Sequence, residues 1–327
     1  MPPIVENKTK ILMERKRLNF VDEARGLAML VVMLWHIVNV HTPWADSWVM
    51  PIFFFIMGLF YKQDASFKHM LIKKTNTLLV PLVFCSIPAF AKSLVQNGWM
   101  ATLKIIADPY QNINCYSWFL VCMFFCYVIY WGINKITVSD KQRVLLSLVV
   151  SLVGFSSTNL LSHKILLPFF IGTALTMMFV IEMGRLAKKH LLSEKMCGGG
   201  GVFALFTVLF LSLTIAFPPH PQNMIMNEYG TRNYALYMAS SLVGSAWVLL
   251  LCRRLDYVLR WTAVIGRLSM LILLLHMYVW LLLGPFVDNA VYKYPIVVVL
   301  TVAIAYAIDK YLPIVSGKKP VLKIEKK

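Results

Sequence analysis

Ten apolar stretches fall at roughly 19–40, 44–62, 75–95, 114–133, 144–159, 165–182, 201–217, 234–252, 261–283 and 295–312, separated by short basic or Pro- and Asn-rich breaks. Hydrocarbon offers no water to backbone N–H and C=O groups, so each such segment must satisfy them internally, and an α-helix does this one segment at a time. Only 14% of the 327 residues are charged, against about 25% in an ordinary soluble chain. The sequence therefore predicts an all-α, polytopic integral membrane protein of about ten transmembrane helices. It reads as a single unit over 1–327, with an N-terminal tail at 1–18, a helical membrane core at 19–312 and a basic tail at 313–327. The runs at 144–159 and 201–217 are short and predict helices that are tilted or differently bounded.

The formal charge of +17 points to orientation rather than to nucleic acid, because the cations are spread over the connections and not gathered into one patch. If both termini are cytoplasmic, 24 of the 32 Lys and Arg lie on inner segments, whereas the outer ones hold Lys92, Lys104, Lys164, Arg232 and Lys293. That is a positive-inside pattern with both ends in the cytoplasm. The polar start is too long for a cleaved signal peptide, so the first run is expected to stay as a span. Cys122 and Cys126 are one helical turn apart, but no second pair with zinc spacing accompanies them, and no metal site is expected. Residues 198–201 are all glycine and lack the Lys-Ser/Thr ending of a phosphate-binding loop, so they read as a linker. The longer outer connections at 96–114 and 218–233 are expected to border an acceptor site.

Ionisable groups inside an apolar run are costly and therefore usually functional. The first run carries Asp22, Arg25 and His36. Eleven residues at about 100° each come to about 20° past three full turns, so Arg25 and His36 share one helix face, about 16 Å apart along the axis. Asp22 falls on the same side. Such a face predicts a buried cavity rather than lipid contact, with Asp22 and Arg25 toward the cytoplasm and His36 in the middle or outer half. An imidazole titrates near neutrality and suits a general base.

The segment Lys16-Arg-Leu-Asn-Phe-Val-Asp22-Glu-Ala-Arg25-Gly26, continuing to Trp35-His36, resembles the first helix of the acyltransferase-three family, bacterial integral-membrane O-acyltransferases that modify surface glycans. That family carries an Arg, ten intervening residues and a His, complete here as Arg25 to His36. Met50-Pro-Ile-Phe-Phe-Phe-Ile-Met-Gly58-Leu-Phe-Tyr-Lys62 is similar to its second helix. Trp118-Phe119-Leu120 matches its fourth, and Gly266-Arg-Leu-Ser269 with His276 resembles its penultimate one. Two departures stand out: Thr77 occupies the place of a second basic residue after Lys74, and Leu273 that of a Tyr three before the His.

The resemblance implies a transferase that moves an acyl group, usually acetyl, from cytoplasmic acetyl-CoA to a hydroxyl of a surface polysaccharide or lipid-linked sugar. It places such a chain in the bacterial inner membrane. By that analogy His36 is the base and Arg25, with Asp22, orients the reacting groups. Lys73 and Lys74 bind the CoA phosphates or simply set orientation, and Arg267 is a second CoA contact or an ion-pair partner. Trp118, Ser269 and His276 are candidates to line the site. No permanently bound cofactor is implied, since acetyl-CoA is a substrate. The basic tail reads as an orientation or lipid-headgroup contact. The alternative from another class is a transporter of a lipid-linked sugar or small anion that uses the same Asp, Arg and His face as a relay.

Overall fold

Helix forms wherever an apolar run falls, and glycine sets two of the close crossings between helices. The computed structural model describes residues 3–40, 43–64, 66–108, 118–191, 200–216 and 222–323, with no strand among them. In chain order the helices are α1 (Pro3–Val38), α2 (Pro43–Asp46), α3 (Pro51–Leu59), α4 (Phe67–Lys74), α5 (Val80–Ala107), α6 (Trp118–Ile136), α7 (Asp140–Asn159), α8 (Ile171–Thr176) and α9 (Met178–Leu191). There follow α10 (Gly200–Ala216), α11 (Tyr234–Arg254), α12 (Asp256–Leu259), α13 (Thr262–Arg267), α14 (Ser269–Leu282) and α15 (Ala290–Tyr311). A π turn, Thr75–Leu79, joins α4 to α5, and α5 bends where Gly98 takes φ 77°. Residues 109–117 and 217–221, and with them parts of both expected outer loops, lie outside the described residues, as do Gly198 and Gly199.

Among the described residues four helical segments are long and apolar enough to cross a membrane: Phe67–Ile106, Trp118–Ile136, Tyr234–Arg254 and Ala290–Tyr311. The pair Pro168–Thr176 and Met178–Leu191, bent by 46°, makes a fifth if it is one span. The chain is thus a multi-pass, all-helical membrane protein. The other apolar runs fall short of that standard for physical reasons. α1 holds Asp22, Glu23 and Arg25 in its apolar half, and Trp44–Leu59, Gly200–Ala216 and Ser269–Leu282 are shorter apolar helices. α1 also starts at Pro3, so much of the expected N-terminal tail is helical.

Two glycine crossings set the core. A Cβ on Gly26 would collide with the Thr262 carbonyl, and one on Gly266 with the Asp22 carbonyl, so α1 and α13 touch backbone to backbone. Gly58 lies likewise against the Ile181 carbonyl and Gly184 against that of Phe55, which binds α3 to α9. Without side chains between them helices approach closely, as small residues permit in membranes. At one end of the bundle the fully buried Glu182 accepts from Tyr130 and from Arg185, whose Nε and Nη2 lie at 2.9 and 2.6 Å. Arg185 also reaches Asp140 at 2.8 Å, which fastens α9 to α7 as well as to α6. A buried charge needs such partners, and removing one typically costs about 3–5 kcal/mol. The buried Cys85, Cys122, Cys126 and Cys252 pack as small apolar side chains among these helices.

Candidate active site

The α1–α13 crossing decides where the first polar groups stand. Thr262 Oγ1 donates to the Glu23 carbonyl at 3.2 Å and locks the two helices in register, which brings Arg267 to the same region as Asp22 and Arg25. Arg25 Nη1 lies 3.6 Å from Asp22 Oδ1, one turn away, both half-buried. Beside them is a cavity of about 250 Å³ whose polar lining includes Arg25, Arg267 and Ser269. Its apolar wall includes Met29, Met50, Met57, Met123 and Met270, flexible side chains that adapt to a ligand's shape.

A second cavity, of about 150 Å³, lies further along α1 and is lined by His36, Trp35, Asp46 and Trp118 together with Gln222 and Asn223. Val32, Met50 and Leu273 line both cavities, so the two adjoin across a waist of three apolar side chains. Arg25 and His36, which share one face of α1, therefore open into adjacent chambers. The His36 side chain is exposed toward that space. His276 lines neither chamber, yet its ring centre is 5.4 Å from that of His36. It is fully buried, and its Nδ1 donates to the Ile272 carbonyl at 3.0 Å, which in the neutral ring leaves Nε2 as an acceptor.

The basic loop splits its roles. Lys73 pairs with Asp64 at 3.2 Å, and His69 meets the same carboxylate at 3.1 Å. Lys74 instead lies over Tyr127, Nζ 3.4 Å from the ring centre, and Tyr127 lines the Arg25 chamber. Trp118 packs against Phe170, with ring centres 6.1 Å apart. Phe169 and Phe170 take consecutive left-handed conformations, φ 54° and 60°, which is rare for bulky side chains. Such residues cost about 1–3 kcal/mol each and cluster at functional sites.

Several residues of the site carry no signal in the periodicity. The loop Gln222–Ile225 that lines the His36 chamber is fixed by Asn227, itself left-handed at φ 58°. Asn227 Nδ2 donates to the Gly154 carbonyl at 2.6 Å, and its Oδ1 accepts from Tyr229 and Thr176 at 2.7 and 3.0 Å. Its carbonyl accepts from Thr158 and Asn159 at 2.6 and 2.8 Å. Glu23 is fully buried beside Asp256 and Arg260, although it adjoins Asp22 in sequence. Among the described residues no three His, Cys, Asp or Glu side chains converge as a metal site.

A family model for an acyltransferase domain matches residues 18–310, nearly the whole chain. No curated protein and no solved structure matches it.

Proposed function

This chain belongs to the acyltransferase-three family, and from that premise we propose that it transfers an acetyl group from cytoplasmic acetyl-CoA to a hydroxyl of a surface polysaccharide or its lipid-linked precursor. In this reading all ten apolar runs cross a bacterial inner membrane and both termini are cytoplasmic. The uneven distribution of Lys and Arg supports that orientation. The observation that carries the function is the pair of chambers meeting at Val32, Met50 and Leu273, one holding Arg25 and Arg267, the other His36. The donor enters the first and the sugar the second.

The chemistry then needs little from the protein beyond position, proton transfer and charge stabilisation, because a thioester is already activated. Neutral His36 accepts the sugar hydroxyl proton as the oxygen attacks the thioester carbonyl. The tetrahedral intermediate collapses, the C–S bond breaks, and the CoA thiolate leaves and takes up the proton from the imidazolium. Arg25 orients the donor, with Asp22 beside it and Arg267 as a second cation. His276, held through Nδ1, packs at the ring of His36 and fixes its orientation. Ser269 and Trp118 shape the two chambers.

The direct test is purified protein in proteoliposomes with acetyl-CoA outside and a glycan acceptor, read by thiol release and by mass spectrometry of the glycan. Release of free CoA with a gain of one acetyl group on the sugar is expected. Sugar or anion movement that ignores acetyl-CoA would establish the transporter reading instead.

Asn227→Ala tests the second chamber. It removes the carboxamide that holds the loop and puts Ala at a positive φ, so the acceptor KM is expected to rise about tenfold while the donor KM stays unchanged. Equal changes in both would contradict an acceptor role for this chamber.

A further inference from the structure

After α15 the chain turns back on the bundle and is fastened to one side chain by three hydrogen bonds. The amides of Val321 and Leu322 donate to Asn76 Oδ1 at 3.0 and 2.9 Å, and Asn76 Nδ2 donates to the Leu322 carbonyl at 2.9 Å. The carboxamide thus pairs with this strap much as a neighbouring backbone would. Gly317, at φ +71°, lies so close that a Cβ there would press on the Asn76 carbonyl and on Thr77. Asn76 is buried, 3% exposed.

Asn76 belongs to the π turn Thr75–Leu79. Such turns are rare, bulge the helix by one residue and recur at functional sites. On one side of Asn76 is Lys74, over Tyr127; on the other is Leu78, which lines the Arg25 chamber with Tyr127. Thr77 is turned back on the chain, its hydroxyl donating to the Lys73 carbonyl at 3.0 Å. Lys73 is taken by Asp64. Lys74, next to this turn, is therefore the ammonium that lies against a wall residue of the chamber, and its direction depends on the π geometry. Relaxing the bulge to α-helix would turn α4 against α5 by about 100°.

We propose that the C-terminal strap, acting through Asn76, holds the π turn so that Lys74 meets the phosphates of a CoA donor. Asn76 is a positioning residue for donor binding, and the strap is part of the donor site rather than an orientation signal alone. This rests on the acyltransferase reading above.

The test is calorimetry on the purified full chain with two probes, CoA and pantetheine, which has the same arm without the nucleotide phosphates. Wild type is expected to prefer CoA. Asn76→Ala is expected to weaken CoA binding about tenfold, the worth of one charge-assisted contact, and to leave pantetheine unchanged. Leu322→Pro removes a strap amide at an exposed position and should give the same loss, with no further loss in the double variant. Asn76→Asp keeps the acceptor oxygens and should restore part of the affinity. Unchanged CoA binding in Asn76→Ala overturns the proposal, as does an equal loss for both probes, which marks a merely structural role. A wild type that binds neither probe overturns the acyltransferase reading itself, and the proposal with it.

Discussion

His36→Ala is expected to lower acyl transfer by about 10²–10⁴-fold, the range over which a positioned general base contributes. The protein should still reach the membrane at wild-type levels. His36 is exposed to its chamber and outside the buried core, and His276, whose ring it meets, keeps its own Nδ1 bond to the Ile272 carbonyl when His36 is removed. The measurement is the O-acetyl content of the glycan at matched protein levels, backed by single-turnover rates. Donor binding should survive, because the Arg25 chamber does not include His36. Unchanged acetylation would remove His36 from the role of base and return it to helix packing.

Arg25→Lys is expected to cost about 10- to 100-fold in kcat/KM, even though the charge is kept. Arg25 already has Asp22 at 3.6 Å from one terminal nitrogen, and the rest of its planar fork remains for the chamber. An ammonium is a point charge: if it keeps the Asp22 contact, it has no second edge to present to the donor. Loss in Arg25→Lys with a larger loss in Arg25→Ala would support orientation by the fork. A mild effect of Lys would mean that charge alone suffices. Kinetics with acetyl-CoA at saturating acceptor separates the two.

The sequence placed Arg25 and His36 on one face through simple helical phase, and that face does line the two chambers. Ser269 and Trp118 were visible only through the family motifs that they resemble. Periodicity did not reveal which neighbour each helix meets. Gly26 and Gly266 lie 240 residues apart, and nothing local in either signals a backbone crossing. Glu23 differs from Asp22 by one position, about 100° of helix rotation, which is enough to bury it completely. Lys73 and Lys74 look alike in the chain, yet Asp64 takes the first and Tyr127 receives the second. Asn227 and Asn76 sit in irregular backbone, where side-chain hydrogen bonds to distant carbonyls and amides leave no periodic trace.

The crossing of α1 and α13 also bears on how such an enzyme can change its substrates. Each glycine abuts main-chain atoms of the other helix, so a larger residue at one cannot be accommodated by trimming a side chain opposite. The spacing of the backbone positions that carry Arg25 and Arg267 is therefore a rigid inheritance of the scaffold. The five methionines around the same chamber are the reverse, side chains that can be exchanged one at a time for others of similar bulk. Drift in ligand preference at this chamber is thus channelled into its wall, while the frame that carries the charged residues stays fixed.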